Sequence, residues 1–552
     1  MAYRRIDTAN GVTRMSKELY DNLQDGIENK PFYYDSVADM KADSNLKRGM
    51  KAVTLGYYNS NDGGGAVYII TTKEQVQSIK TDKIILQNNL VALHFTLNSS
   101  VKLKQLGATP TEDISPYLDR AGYYQTIIFD DDYFISNRAI FRNPNITLLG
   151  NNHILTAKNW EYSEDNWCIL VFTKAVKNSI IRDLNIHVLI QQGEESVLTK
   201  EVTTISVARG TKNTLIVNCH IEIDETSIRW TGFFVNSWNT TIKDSSCVNK
   251  SYGSTGGSFW CLIKDDEEQD SLPNIVVENC YFDSSAGDEV FGSDFQEPSS
   301  EQKITGNISV SNTTIIKSIK PKTLTSIEPS FGITLRGKGN FNFDNCYFKV
   351  NAEDDRVSKP FCVLGFDIVY GDEYHLRFSN CNIQNKVNCF ITGSYKILNG
   401  TTWVWVQNLL PVEFDNCNFD GGCVSGNVVL HQNNVYNTLV QASGIPVSLK
   451  NCYIRTKYNP VHFERQPVFN HFKMENCIIH TDSLTLFLLE SDDSYFCTIL
   501  DSLFFTTQPE VGSLYRVKKS QHMYSEPDDN FSFGRIVIKN TLVNGSLVEE
   551  DS

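Results

Sequence analysis

One phrase recurs along this chain from about residue 178, and it constrains the fold more than any other feature. A turn asparagine opens it, followed by a short strand alternating apolar and polar residues. Then come Asn or Asp with, most often, Cys or Ser, and a second short apolar strand. Early copies are KNSIIRDLNI (177–186), KNTLIVNCHI (212–221), WNTTIKDSSC (238–247), PNIVVENCYF (273–282) and GNISVSNTTI (306–315). FNFDNCYF (341–348), LRFSNCNI (376–383), VEFDNCNF (412–419), SLKNCYI (448–454) and FKMENCII (472–479) follow, and TILDSLFF (498–505) and IVIKNTLV (536–543) close the series. The turn asparagines Asn178, Asn213, Asn239, Asn274 and Asn307 are separated by 35, 26, 35 and 33 residues, and the later Asn-Cys pairs step by 35, 36, 35 and 25. One coil of a parallel β-helix takes roughly 20–29 residues, with extra length spent in loops on one face. Period-two alternation excludes a helical solenoid, which would show a period of 3.6. The leucine-rich frame LxxLxL is also absent. An all-β chain wound as a parallel β-helix is the expected fold.

The residue types at the corner have physical reasons. Asparagine tolerates a left-handed backbone and can stack its amide on the asparagine of the next coil. Cysteine or serine fits a tightened corner with little room. Seven of the fourteen cysteines stand directly after the asparagine of the repeated phrase: Cys219, Cys280, Cys346, Cys381, Cys417, Cys452 and Cys477. There is no CxxC pair and no Cys/His spacing of a zinc site, so these read as small buried apolar residues of a reducing compartment. No cofactor and no metal site are expected.

At 552 residues the chain exceeds the usual size of one compact core, which suits an elongated repeat. The net charge of −15 argues against a nucleic-acid partner, which needs a basic stripe to displace counterions. No apolar run approaches the ~18 residues of a membrane span, so no membrane insertion is expected. The first 30 residues lack the apolar core of a secretory signal. A cytosolic product, or a particle component assembled in the cytoplasm, is the expectation.

Upstream of the repeats, residues 1–30 carry an amphipathic pattern, with Met15, Leu19, Leu23 and Ile27 at helical spacing. It suits either a coiled-coil seam or a helix docked on its own domain. Residues 31–100 form a small β-rich module around VTLGYYNSNDGGGAVYII, whose Asn-Asp-Gly-Gly-Gly turn between β-prone runs signals a hairpin. From 101 to 552 the β-helix runs, with IIFDDDYFISN and AIFRNPNITLLGNN as first coils.

Three stretches carry a family resemblance. GVTRMSKELYDNLQDGIE (11–28) is similar to an N-terminal segment of tail and baseplate proteins from phages of Gram-positive hosts. MKAVTLGYYNSNDGGGAVYII (50–70) resembles the short module that leads into a tail β-helix. VKLKQLGATPTEDISPYLDRA (101–121) stands where pectate-lyase-like phage spikes carry a glycine- and aspartate-rich phrase, echoed by Gly107, Ala108, Asp113 and Ala121. The chain thus resembles the phage tailspike, pre-neck appendage and receptor-binding tail proteins. That resemblance implies a single-stranded, right-handed, pectin-lyase-like β-helix in a homotrimer on the virion. It also implies an N-terminus that attaches to other tail or baseplate proteins, and a host surface polysaccharide or wall teichoic acid as partner.

Chemistry is sought in the longest polar insertion, which starts after Ser251. SYGSTGGSFWCLIKDDEEQDSLPN pairs Phe259 with Trp260 ahead of an acidic run, and the next coil carries CYFDSSAGDEVFGSDFQEP. Asp265, Asp266, Asp283, Asp288, Glu289, Asp294 and Glu297 therefore lie a coil apart or less. Coils stack at about 4.8 Å, within the carboxylate separations of glycoside hydrolysis, roughly 5 Å for retention and 6.5–9.5 Å for inversion. Asp288 and Glu289 alternate in direction, so one of them would pair with Asp265, Asp266 or Asp294, with Phe259 and Trp260 against a sugar face. Gly287-Asp288-Glu289 also resembles the acidic turn of β-helix glycosidases. A solvated acidic loop or a calcium site would give the same composition. Arg336 could bind an anion, Asp367, Asp372, Glu373 and His375 form another polar loop, and Trp403 and Trp405 share a strand face as a glycan platform or an inter-chain contact. Walker, Rossmann and GxSxG motifs are absent. Two functions follow: a polysaccharide depolymerase, as a glycoside hydrolase ahead of a lyase, or a non-enzymatic adhesin on the same scaffold.

Overall fold

The computed structural model describes residues 31–76, 99–160, 167–189 and 202–226 almost throughout, the strand segments within 82–95, and from 230 to 551 the strands with their closest turns. Residues 1–30 and the longer connections, among them 190–201, 265–273, 320–330, 353–361, 422–428 and 519–534, are not described, so the expected N-terminal helix lies outside the described residues. Two compact units form, one of residues 1–193 with 203–224 and one of 194–202 with 225–552. No described helix is long and apolar enough to cross a membrane.

In the first unit, a five-stranded sheet gathers Phe32–Tyr34, Lys51–Thr54, Ala66–Thr72, Lys83–Ile85 and Leu90–His94. The expected hairpin is present, since Lys51–Thr54 pairs antiparallel with Ala66–Thr72. Its loop is held by the Asp62 carboxylate, which accepts from the backbone N–H groups of Tyr57, Tyr58, Asn59 and Gly64 at 2.7–3.1 Å. Beyond it the coils begin. Val101, Ile127, Leu148, Ile181 and Ile216 fall in register on successive parallel strands, all facing the core. A short helix, Ser115–Ala121, lies in the stretch that echoed the tailspike phrase.

The second unit is a right-handed parallel β-helix built from three strand columns. The first runs from Asn239–Lys243 to Arg535–Val543, the second from Ser246–Asn249 to Leu503–Thr506 and the third from Trp230–Ser237 through Phe259–Lys264 and Phe291–Gln296 to Ile391–Asn399. A further four-stranded parallel sheet follows, from Thr438–Ala442 to Ser513–Lys518. Alternation fills the interior. Phe343, Phe378 and Phe414 stack at 4.9 Å with nearly parallel rings, each excluded from solvent. A fully buried side chain of this size contributes about 1.5–3 kcal/mol, so the apolar columns are the main stabilising term.

The repeated corner is the asparagine-cysteine step. Asn279, Asn312, Asn345, Asn380, Asn416, Asn451, Asn476 and Asn540, with Asp244 and Asp501, all hold φ between 50° and 56°. Their side chains ladder from coil to coil, as in Asn416 Nδ2 to Asn380 Oδ1 and Asn476 Nδ2 to Asn451 Oδ1, both 2.8 Å. The following residue is small and aims a weak or strong donor at the carbonyl two residues back. Cys346 reaches Asp344 O at 3.4 Å, Ser502 reaches Leu500 O at 2.8 Å and Thr541 reaches Lys539 O at 3.0 Å. Sulfur and hydroxyl are therefore interchangeable here. Burial pushes the Cys219 thiol up to about 12 and Cys280 to about 11, as expected of inert packing groups.

The opening asparagine of the phrase behaves differently in the two units. Asn145, Asn178 and Asn213 are left-handed and form their own 2.8 Å amide ladder. Asn239, Asn274 and Asn307 instead lie within extended strands, because there the strand begins at or before the asparagine.

Candidate functional site on the third strand column

The polar insertion that drew attention in the sequence is in part a core strand. Phe259–Lys264 lies parallel between Trp230–Ser237 and Phe291–Gln296, with Phe233, Phe259, Phe291 and Ile333 in register. All four are fully buried, and Phe259 stacks on Phe291 at 4.5 Å. Phe259 is therefore a core residue and not part of a sugar-binding pair: strand alternation sends it inward and its neighbour Trp260 outward.

Trp260 is half-buried and sits opposite Gly292 in register. A Cβ at residue 292 would come within 2.0 Å of the indole Cε3 and Cζ3 atoms and 3.0 Å of Glu289 Cγ. The glycine is needed for this close approach, which lets the indole lie across the strand and brings Trp260 and Glu289 to one place. Glu289 is only 9% exposed.

The turn that carries Glu289 is held from behind. Val290 O accepts from the N–H groups of Ser258 (3.0 Å) and Phe259 (2.9 Å). Gly257 lies so close that a Cβ would stand 2.1 Å from Glu289 O. Asn249 Nδ2 donates to Trp230 O and Gly257 O at 2.6 and 3.1 Å, and Ser258 Oγ to Asp283 O at 2.8 Å. Ser285 N–H donates to Asn249 O at 2.8 Å, and the buried Lys317 amine donates to Ala286 O. A cluster of paired polar groups thus lies at the corner beside Glu289, next to the apolar core that Phe259, Phe282 and Phe291 form in the same coils.

The other expected residues distribute unevenly. Asp294 occupies the strand position two beyond Gly292, opposite Leu262 on one side and Arg336 on the other. Trp403 and Trp405 lie in Thr402–Trp405, antiparallel to Ile391–Asn399, opposite Leu398 and Lys396. Asp265, Asp266 and Asp288 lie outside the described residues, as do Asp372 and Glu373. Asp283 accepts from Ser318 Oγ at 2.7 Å, and His375 faces Glu413 at 3.6 Å on the first column. An indole face beside a sheltered carboxyl is an arrangement that can stack a sugar ring and place an acid at its edge.

No family model and no curated protein matches the chain. Among solved structures it is similar to the enzymatically active domain of tailspike protein 2 from bacteriophage CBA120. That match has 11% identity and a TM-score of 0.46, covering 81% of this chain and 57% of the other. It is also similar to tailspike gp49 of the Acinetobacter baumannii bacteriophage Fri1, described as a capsular polysaccharide depolymerase. Here identity is 12% and TM-score 0.38, over 94% and 77% of the two chains. The catalytic domain of a GH87 α-1,3-glucanase matches at 12% identity and TM-score 0.41, over 86% and 83%. The chain spans 57% of the length of the CBA120 protein.

Proposed function

We propose that this chain is a phage tail spike that binds a bacterial surface polysaccharide or wall teichoic acid and cleaves it, as a glycoside hydrolase ahead of a lyase. The observation that carries the reading is the meeting of Trp260 and Glu289 over Gly292, on the outward side of strands whose Phe259 and Phe291 are fully buried. In this reading Trp260 stacks on a sugar ring and Glu289 is the general acid. Such an acid must stay protonated until it donates, which shelter from water favours. Asp294 supplies the second carboxylate, and Arg336, its register neighbour, holds an anionic group of the glycan. Residues 1–30 and 31–100 attach the particle end, 101–552 form the glycan-binding β-helix, and the assembly is a homotrimer.

The low exposure of Glu289 favours a second reading, in which the carboxyl only braces the turn and the protein is an adhesin. Incubating the chain with purified capsular polysaccharides and teichoic acids, and sizing the products by chromatography and mass, separates the two. Product release that disappears in Glu289→Gln and falls in Asp294→Asn supports the hydrolase. Binding without products across the panel, lost in Trp260→Ala, makes it the adhesin. Neither binding nor products would end both readings.

A further inference from the structure

On the outer face of the first unit's coils lies a donor cluster that no local motif reveals. His187 ends the outward positions of Asn185–Val188, and Glu222 pairs with it in register on His220–Ile223, one coil later. Asp224 follows Glu222 by two residues, and its N–H donates to Val188 O at 3.1 Å, so the strand pairing continues through it. Alternation puts residues two apart on one face, and the coil spacing puts register partners about 4.8 Å apart. The three donor atoms accordingly lie within 4.8 Å of one another, with His187 Nε2 and Asp224 Oδ1 3.2 Å apart.

We propose that His187, Glu222 and Asp224 bind a divalent transition-metal ion, with zinc as the ion of choice. One imidazole and two carboxylates are a donor set of borderline softness, suited to zinc and its neighbours and poorly suited to calcium, which takes oxygen alone. The 3.2 Å separation between the imidazole nitrogen and the Asp224 oxygen is the edge expected of two ligands each about 2.0–2.1 Å from one ion. Three protein ligands leave a position for water, and small rotations of Glu222, which is exposed, close the set. Without a metal, two carboxylates crowd one imidazole. A divalent ion removes that excess negative charge and ties two consecutive coils together across the ladder. His220, two residues before Glu222 on the same strand, is turned to Asn218 Oδ1 at 3.1 Å and stands outside the set.

The test is zinc binding by the full chain, stripped with a chelator and titrated with zinc chloride alone near pH 7.5. One zinc per chain is expected, with a melting temperature that rises on zinc addition. His187→Ala and Asp224→Ala should each weaken binding at least about tenfold and abolish the thermal shift, while His220→Ala behaves as wild type. Cobalt gives an independent readout, a visible absorption spectrum that changes in His187→Ala. Should either alanine variant melt early in chelator, Glu222→Gln carries the comparison. The proposal is overturned if wild type binds no zinc up to about millimolar concentration, or if binding is equal in wild type and the ligand variants.

Discussion

Replacing Asn380 by alanine isolates what the corner contributes. Its backbone sits at φ +56°, its Nδ2 donates to Asp344 Oδ1 at 2.8 Å and its Oδ1 accepts from Asn416 Nδ2 at 2.8 Å. The backbone bond from its N–H to Asp415 O does not depend on the side chain. Alanine deletes two solvent-facing amide bonds, about 0.5–1 kcal/mol each, and must hold a left-handed conformation at a cost of about 1–2 kcal/mol. The sum is roughly 2–4 kcal/mol. Asn380→Gly loses the same two bonds but relieves the strain, partly offset by the greater freedom of its unfolded chain, so it should fall short of alanine by about 0.5–1 kcal/mol. A long coil array does not unfold in one step, so a global melting temperature would dilute the effect. Hydrogen exchange read by mass on peptides spanning 376–383 and 412–419 is local. There alanine should speed exchange by about 30- to 900-fold, and glycine by several-fold less. Exchange within twofold of wild type in alanine would refute the ladder's energetic role. Glycine equal to or worse than alanine would refute the strain component.

Acid should weaken the first unit through His94, whose ring lies against Tyr68 and Tyr124 with the Asp82 carboxylate nearby. Burial lowers its pKa to about 4, the Asp82 charge opposing. Because the unfolded imidazole takes its proton near 6.5 and the folded one does not, stability is full above about pH 6.5 and falls until about pH 4, by at most about 3 kcal/mol. His94→Gln should flatten the melting temperature between those pH values, and an unchanged slope would remove His94 as the cause. In the second unit, Lys317→Met should leave melting little changed, since apolar contacts offset a buried amine. It orphans Ala286 O, however, at about 1–3 kcal/mol, and exchange across 282–290 should rise selectively. Exchange rising evenly over the whole unit, or not at all, would show that Lys317 does not hold that turn.

How much was legible follows from the range over which each feature is encoded. The corner is written in adjacent residues, so Asn380-Cys381 and its counterparts announced both the fold and its period. Asn239, Asn274 and Asn307 match the same phrase yet lie in strands, because one residue's difference in where a strand begins is below what composition resolves. Phe259 and Trp260 show the next limit. As neighbours they look like one aromatic surface, and only the start of the strand, with Ser258 and Phe259 bonded to Val290 O, decides which ring enters the core. The place of Trp260 over Gly292, 32 residues away, requires the register itself. His187 and Glu222 are separated by 35 residues, one coil, so searches for closely spaced ligands pass over them.

The polar cluster behind Glu289 departs from the apolar filling that prevails among the described residues of the second unit. Phe259, Phe282 and Phe291 in the same coils, and most described inward positions of the neighbouring ones, are apolar, and the energy there comes from burial. At this corner Asn249, Ser258, Ser284, Ser285 and Lys317 are all nearly or wholly excluded from water. Buried polar groups cost free energy unless paired, and a paired set contributes less than an apolar core of the same volume. Their hydrogen bonds converge on the backbone of Trp230, Gly257, Asp283 and Ala286, the segments that flank the turn to Glu289. Directional bonds define a position more narrowly than apolar contacts do. A corner held by paired polar groups, where apolar ones would bury as well, fixes the direction of its turn, and what that turn presents is Glu289 beside the indole of Trp260.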